Sequence, residues 1–260
     1  MQGAQELPYC VASQADIHFA RTFQPFFATL GVHPDLLLED IAHTRAIGNA
    51  FWEQLSHEYA LLGLRPSVHL PFYGLNLGSR SELIREVSFK SLVDGLRIAN
   101  SLGAELGVMH TGYIAQTPSR AMSKWVKTFA PYFDRLTGVA SDLGVKLLLE
   151  NTWEYDTELF ERIADTVKGE YDYCLDIGHV HSFSKAGLDS WLSVFADRIR
   201  VIHLHDNNRC EDDHLPVGRG EIDYSFLREL SRSERPPRLV FEYKPRHLSE
   251  SLSFLHKLLK

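Results

Sequence analysis

SRAMSKWVKTFAPYFDRLTGVASDLGVKLLLE, residues 119–150, holds one whole unit of the pattern that decides the fold. From Ser119 to Leu143 apolar residues recur at three- and four-residue spacing, as on a helix with one packed face. Gly144 ends that helix, and Val145–Glu150 is a short apolar run that reads as a strand finishing in a carboxylate. The unit recurs in both directions along the chain. Strands are predicted at Pro8–Ser13, Asp35–Glu39, Ser67–Leu70, Glu105–His110, Val145–Glu150, Tyr171–Asp176, Arg200–His205 and Arg238–Glu242, with amphipathic segments at Ile41–Leu62, Ser81–Leu102 and Thr157–Val167. Leu83, Val87, Leu92, Leu96 and Ala99 mark the expected packed stripe of the second of these, and Gly63 and Gly103 end helices as Gly144 does.

Alternating β and α segments predict a parallel sheet, and eight such units in 260 residues match a single (β/α)8 TIM barrel occupying residues 1–260, which opens almost directly at Pro8. Composition agrees. Hydrophobic residues are 44% and charged residues 23%, with Gly 17 and Pro 11, which excludes disordered, collagenous and coiled-coil classes. No apolar run reaches the roughly 18 residues of a membrane span, and the N-terminus lacks a signal pattern. Cys10, Cys174 and Cys210 match neither a disulfide framework nor a CxxC zinc pair, so a cytoplasmic protein without membrane partners is expected. The net charge of −7 disfavours broad attraction to phosphate backbones.

The 13 histidines are the compositional oddity. In a barrel the strands' C-terminal ends meet at one mouth, and those ends carry His69, His110, Glu150, Asp176 followed by His179, His203, His205-Asp206 and Glu242, with Asp212-Asp213-His214 in the following loop. One such residue alone is an ordinary packing or ion-pairing group. Jointly they imply a cation, because carboxylates converging in one mouth repel unless compensated. Glu150, Asp176, His203 and Glu242 form the central candidate site for a divalent metal, zinc or manganese. His69 and His110 sharing Glu150 form a second, and His179, Asp212 and His214 a third, giving one to three ions. Imidazoles lining a sugar pocket are the competing explanation for these two.

Phe72, Tyr73 and Tyr113 are expected as rim aromatics that stack on substrate. His179, His205, Arg219 and Lys244 are expected to touch it, the last two where barrels often bind phosphate, beside Arg209 and Arg246. The glycines of Pro216–Asp223 are read either as a close approach to a ligand or as a tight turn.

At these residues the chain resembles the xylose isomerase-like TIM barrel superfamily, which groups sugar-phosphate isomerases and epimerases with the endonuclease IV type of apurinic (AP) endonuclease, AP endonuclease family 2. The resemblance runs from Pro66 to Lys244 through VHLPFYGLNLGS, VMHTGY, LLLENT, CLDIGHVHS, VIHLHDNN with DDHLPVGRGEID, and LVFEYKP. In the isomerase branch it implies one metal on Glu150, Asp176, His203 and Glu242, with Glu150 and Glu242 as catalytic carboxylates that exchange a proton beside the substrate carbonyl and His179 orienting hydroxyls. In the endonuclease branch it implies nine ligands to three zinc ions: His69, His110, Glu150, Asp176, His179, His203, Asp212, His214 and Glu242. The acidic charge, the absence of a long basic loop after the second strand, and the EYKP and GRGEID segments favour a sugar or sugar-phosphate isomerase or epimerase. Phosphodiester hydrolysis, on abasic-site DNA or a related ester, is the alternative. A barrel that only binds is disfavoured, since paired carboxylates around open positions are costly without chemistry. The sequence sets neither the sugar nor the oligomeric state.

Overall fold

The computed structural model describes residues 7–39, 41–115 and 119–260. Eight parallel strands close in chain order: β1 (Val11–Asp16), β2 (His33–Leu37), β3 (Ser67–His69), β4 (Leu106–His110), β5 (Lys146–Glu150), β6 (Asp172–Asp176), β7 (Ile199–Leu204) and β8 (Arg238–Phe241). Ala12 pairs with His33 on one side and Val240 on the other, which shuts the barrel and leaves no sheet edge. Outside it run α1 (Gln24–Leu30), α2 (Ile41–Ile47), α3 (Asn49–Leu61), α4 (Glu82–Leu102), α5 (Ser119–Asp142), α6 (Glu158–Thr166), α7 (Ile177–Phe183), α8 (Leu188–Phe195), α9 (Leu227–Leu230) and α10 (Leu248–Leu258). This is the single (β/α)8 TIM barrel that the alternation predicts. Among the described residues no helix is long and apolar enough to cross a membrane.

Strands buried on both faces need two cores. The larger fills the space between strands and helices, with Trp52, Phe129, Phe133, Phe160 and Trp191 among its bulky members. The smaller is a plug inside the barrel made by Ala12, Val108, Leu148, Cys174, Val201 and Val240. Burying each Val or Leu of the plug is worth roughly 1.5–3 kcal/mol.

Four expectations need correction. The first strand lies at Val11–Asp16, three residues late, because pairing with β8 begins at Val11; Pro8 has no N–H to give a ladder. The second lies at His33–Leu37, two residues early, where Leu37 pairs with His69. The helix expected over Ile41–Leu62 is broken at Gly48, whose φ of +80° only glycine adopts readily. On α4, Leu92, Leu96 and Ala99 are buried as the stripe requires, but Leu83 and Val87 are 79% and 63% exposed, since the first turns of that helix project past the barrel's cover. Gly63, Gly103 and Gly144 all take positive φ at helix exits, as expected.

Candidate metal centre

Side chains alternate along a strand, so the residue two positions beyond each member of the plug also faces the barrel axis. Those residues are Gln14, His110, Glu150, Asp176, His203 and Glu242, with His69 on β3 and Leu37 on β2 completing the ring. Apolar plug below and polar ring above are thus one pattern read at a spacing of two. Most of the ring lines a cavity of about 330 Å³ that opens at the strands' C-terminal ends, the active-site face of this architecture.

Donor atoms gather at the mouth in three groups, within each of which they lie no more than 4.8 Å apart: Glu150, Asp176, His203 and Glu242; His69, His110 and Glu150; and His179, His205, Asp212 and His214; a fourth, Glu150, Cys174 and His203, reaches down into the plug. Glu150 joins the first two. Its Oε1 lies 3.0 Å from His203 Nδ1, and its Oε2 lies 3.1 Å from His69 Nε2 and 3.4 Å from His110 Nε2. Glu242 Oε1 stands 3.1 Å from His203 Nδ1, and Asp212 Oδ2 stands 3.3 Å from His179 Nε2 and 3.1 Å from His214 Nε2. Of the ten residues in the three groups at the mouth the sequence marks nine, all but His205, as candidate ligands, and the fold gathers all ten around one mouth.

Three of the histidines are held from behind in the same way. His69 Nδ1 donates to Leu70 O at 3.0 Å, His179 Nδ1 to Asn151 O at 2.9 Å, and His214 Nδ1 to Glu242 O at 2.7 Å. A carbonyl only accepts, so Nδ1 carries a proton and Nε2 is the nitrogen turned towards the carboxylates, donating to them while the imidazole is charged and free to ligate once that proton is lost. That is how imidazoles that ligate metals are usually oriented.

Charge tells the same story. Burial opposes ionisation of Glu150, yet the His203 charge and the hydrogen bonds from His110 and His203 hold it well below the carboxylate range. Burial also opposes protonation of His203 and His179, but Cys174, Glu242 and Glu150 raise the first and Asp176, Asp212 and Glu150 the second, both well above the usual value, and Asp212 raises His214 to about 9. Glu242 is raised, by burial first. His110 is pushed by burial to about 4 and stays a neutral donor. Without metal, the buried carboxylates are balanced by protons on imidazoles; a divalent cation replaces those protons.

Buried polar atoms left without a partner test whether the donor set fits a metal. His205 Nδ1 and Asp212 Oδ1 have none, and they face each other across 3.5 Å. Buried polar atoms are rarely left so. Imidazole nitrogens and carboxylate oxygens converging at these distances suit zinc or a similar ion.

Supporting residues lock the ring in place. Asn151 pairs its amide with both backbone groups of Asp176, each at 2.8 Å. Asp176 caps α7 by accepting from His179 N at 2.6 Å, and its two oxygens each lie 3.1 Å from His205 Nε2. Glu154, buried and raised in pKa by that burial, ties Thr111 Oγ1 to Thr152 N, each at 2.6 Å. Asp206 accepts from Asn207 N, Gly218 N and Ile222 N and so fixes the long loop that delivers Asp212 and His214. His214 takes φ +47°, an uncommon conformation for a residue other than glycine.

Some expected substrate contacts lie elsewhere. Tyr113 is buried, its ring edge-on to Trp125 at 5.2 Å, because the loop after β4 folds it back into the outer core. Arg219 is paired with Glu250 at 2.6 Å and Lys244 is exposed; neither lines the cavity. His205 is fully buried beneath His214, ring centroids 3.9 Å apart, and belongs with the donor atoms instead of the cavity wall. Gly220 packs against Asp206 and Asn207, so the tight-turn explanation of its loop holds. Phe72, Tyr73 and His179 do line the cavity, and so do Gln14, Glu39, Thr152 and Trp153, which the sequence reading passed over. Gln14 was hidden by the misplaced first strand; Trp153, three residues past Glu150, was visible as a strand-end aromatic. A larger groove of about 420 Å³ beside α7 and α8 contains His181 but, among the described residues, no clustered donors, whereas the smaller cavity has them.

Residues 26–258 match the family described as xylose isomerase-like TIM barrel. The chain is 33% identical over 176 residues to the uncharacterized protein MJ1614 of Methanocaldococcus jannaschii, covering 65% of this chain and 67% of that one. It is 26% identical over 206 residues to a protein named probable endonuclease 4 from Mycobacterium tuberculosis, covering 73% of this chain and 77% of the other. Among solved structures it is similar to the TTHB071 protein from Thermus thermophilus, from a crystal soaked with ZnCl2, with a TM-score of 0.83, 27% identity, and coverage of 96% of this chain and 97% of that one. A match running through almost the whole barrel, over a mouth ringed by histidine and carboxylate, makes the chain a member of the xylose isomerase-like TIM barrel family.

Proposed function

We propose that the protein is a zinc-dependent phosphoesterase with a trinuclear centre, a choice of branch opposite to the one the sequence alone favours. The observation that carries this reading is the shared arrangement of His69, His179 and His214, each with Nδ1 on a backbone carbonyl and Nε2 beside a carboxylate. An isomerase with one metal needs only Glu150, Asp176, His203 and Glu242, and would leave two equally well-built donor groups idle. The likeness to a protein named probable endonuclease 4 and to a chain soaked with ZnCl2 supports the same choice.

Zinc held by these groups would supply Lewis-acid polarisation of a phosphoryl oxygen and lower the pKa of water. The chain's residues supply the rest. Glu150, fixed between His69 and His203, divides its two oxygens between neighbouring groups. Glu242 is held at Oε1 by Gln14 Nε2 at 2.8 Å, which orients its carboxylate at the cavity wall. Phe72 and Trp153 narrow the mouth and limit bulk water.

A second reading, sugar or sugar-phosphate isomerisation or epimerisation by proton transfer next to a chelated carbonyl, is favoured by the four-residue group taken alone, with Glu150 and Glu242 again as the catalytic carboxylates. Elemental analysis of protein purified with zinc separates them. Two or three zinc ions per chain, with one lost on His69→Ala or His214→Ala, are expected of the phosphoesterase. A single tightly held ion, together with deuterium exchange into keto-sugars, would establish the isomerase instead.

A further inference from the structure

The donor groups fix the reacting phosphorus; the cavity walls select what is attached to it. Among the described residues no lysine or arginine lines the cavity, whereas Glu39, Glu150, Asp212 and Glu242 do. Three cations of the surrounding loops are committed elsewhere, Lys185 over the Tyr155 ring, Arg209 on His181 and Arg219 on Glu250, while Lys244 is exposed and does not line the cavity. Duplex binding draws much of its affinity from lysine and arginine contacts to successive phosphates, and a mouth fringed with carboxylates on a chain of net charge −7 opposes it. One phosphate group meets no such obstacle, because the metals themselves balance its charge.

An aromatic series leads from the ligands to solvent. The Phe72 ring lies 4.4 Å from the His110 ring and 4.3 Å from the Tyr73 ring, centroid to centroid, and Tyr73 is 68% exposed. Trp153, on the loop after β5, borders the same cavity and is 55% exposed. Neither exposed ring belongs to the buried core. The volume, about 330 Å³, is at the small end of the roughly 300–1,000 Å³ typical of small-molecule pockets.

We infer that the substrate is a small phosphate ester bearing a planar aromatic or heteroaromatic ring, packed against the Phe72, Tyr73 and Trp153 rim, and not a duplex nucleic acid. The inference rests on the phosphoesterase reading. In the reaction the bond between phosphorus and the leaving oxygen breaks and one from phosphorus to a water oxygen forms. One water proton goes to the leaving oxygen and the other to solvent, with no change of oxidation state.

The test compares AMP with ribose 5-phosphate, which differ by the ring, on the zinc-loaded protein, by calorimetric binding and by phosphate release. Stacking on an aromatic side chain favours AMP about tenfold in affinity and in kcat/KM, and Trp153→Ala and Tyr73→Ala bring that ratio towards one. A ratio near one in the unsubstituted protein, a ratio indifferent to both substitutions, or faster turnover of an abasic-site duplex than of AMP overturns the inference. If AMP binds preferentially but no ester is hydrolysed, ring recognition stands and the phosphoesterase reading falls.

Discussion

Gly178 sits in the first turn of α7, and replacing it with alanine places a methyl carbon 2.0 Å from His205 Cε1 and 2.4 Å from both ring nitrogens. Ordinary carbon contacts begin near 3.5 Å, so some group shifts by about 1.5 Å. His205 has no room to retreat: its Nε2 lies 3.1 Å from both Asp176 oxygens, and its ring stacks on His214 at 3.9 Å. If the helix backs away instead, the 2.6 Å bond from His179 N to Asp176 Oδ1 stretches. In an ordinary helix the substitution would gain about 1 kcal/mol; here overpacking costs about 1–3 kcal/mol. A loss of about 2 kcal/mol lowers Tm by about 5 °C in a chain of this size. Either movement disturbs the group formed by His179, His205, Asp212 and His214, so one zinc per chain is expected to be lost. Thermal unfolding followed by circular dichroism, paired with elemental analysis, checks both numbers. A G178A protein with full metal content and a Tm within about 1 °C of the parent would refute the steric argument.

Other perturbations separate site from scaffold. Asn151→Ala removes both bonds to the Asp176 backbone and leaves two buried groups unpaired, so urea unfolding is expected to show about 2–4 kcal/mol of lost stability. His33, at the opposite end of the barrel, is held at about 4 by burial and by the Arg238 and Arg65 charges. Its unfolded value is near 6.5, so the unfolded state binds the extra proton. The contribution to stability is therefore present above about pH 6.5 and lost as pH falls towards 4. Discounted for partial exposure, the loss between pH 7 and pH 5 is about 1 kcal/mol, and His33→Gln is expected to remove it from the pH dependence of the urea midpoint. Leu83→Glu on exposed α4 is expected within about 0.5 kcal/mol of neutral, whereas Leu96→Ala, fully buried on the same helix, costs about 2–5 kcal/mol in the same assay.

What the sequence revealed and what it hid follow from periodicity. A barrel strand buried on both faces is a continuous apolar run, which is why Leu147–Leu149 and the residues before Asp176 are legible and the donor at each end stands out. The first strand is different. Gln14 and Asp16 interrupt its apolar run, one reaching into the cavity to hold Glu242 and the other capping the short turn at Ile17–Phe19. Function therefore erased the local strand signal at the point where a candidate site residue was missed. Tyr113 erred the other way: an aromatic three residues past a strand-end histidine looks the same in sequence whether its loop turns outward or, as here, folds against Trp125. Leu83 and Val87 fit a helical stripe perfectly well, since spacing records which residues share a face but not how far the neighbouring layer extends.

The donor groups are one unit, not three independent sites. Glu150 reaches His69 and His110 with one oxygen and His203 with the other, while Asp176 stands 3.8 Å from His203 and 3.1 Å from His205 through the same Oδ2. A side chain shared between neighbours cannot be optimised for one without setting the other, so effects of changing them are coupled. The barrel makes the sharing possible. Glu150 is flanked by β4 and β6, yet its partners come from β3, β4 and β7, because only a closed sheet brings strands distant in order within reach across its axis. An open parallel sheet with the same sequence pattern would spread these side chains along a row, and no cation could be held by more than neighbouring strands.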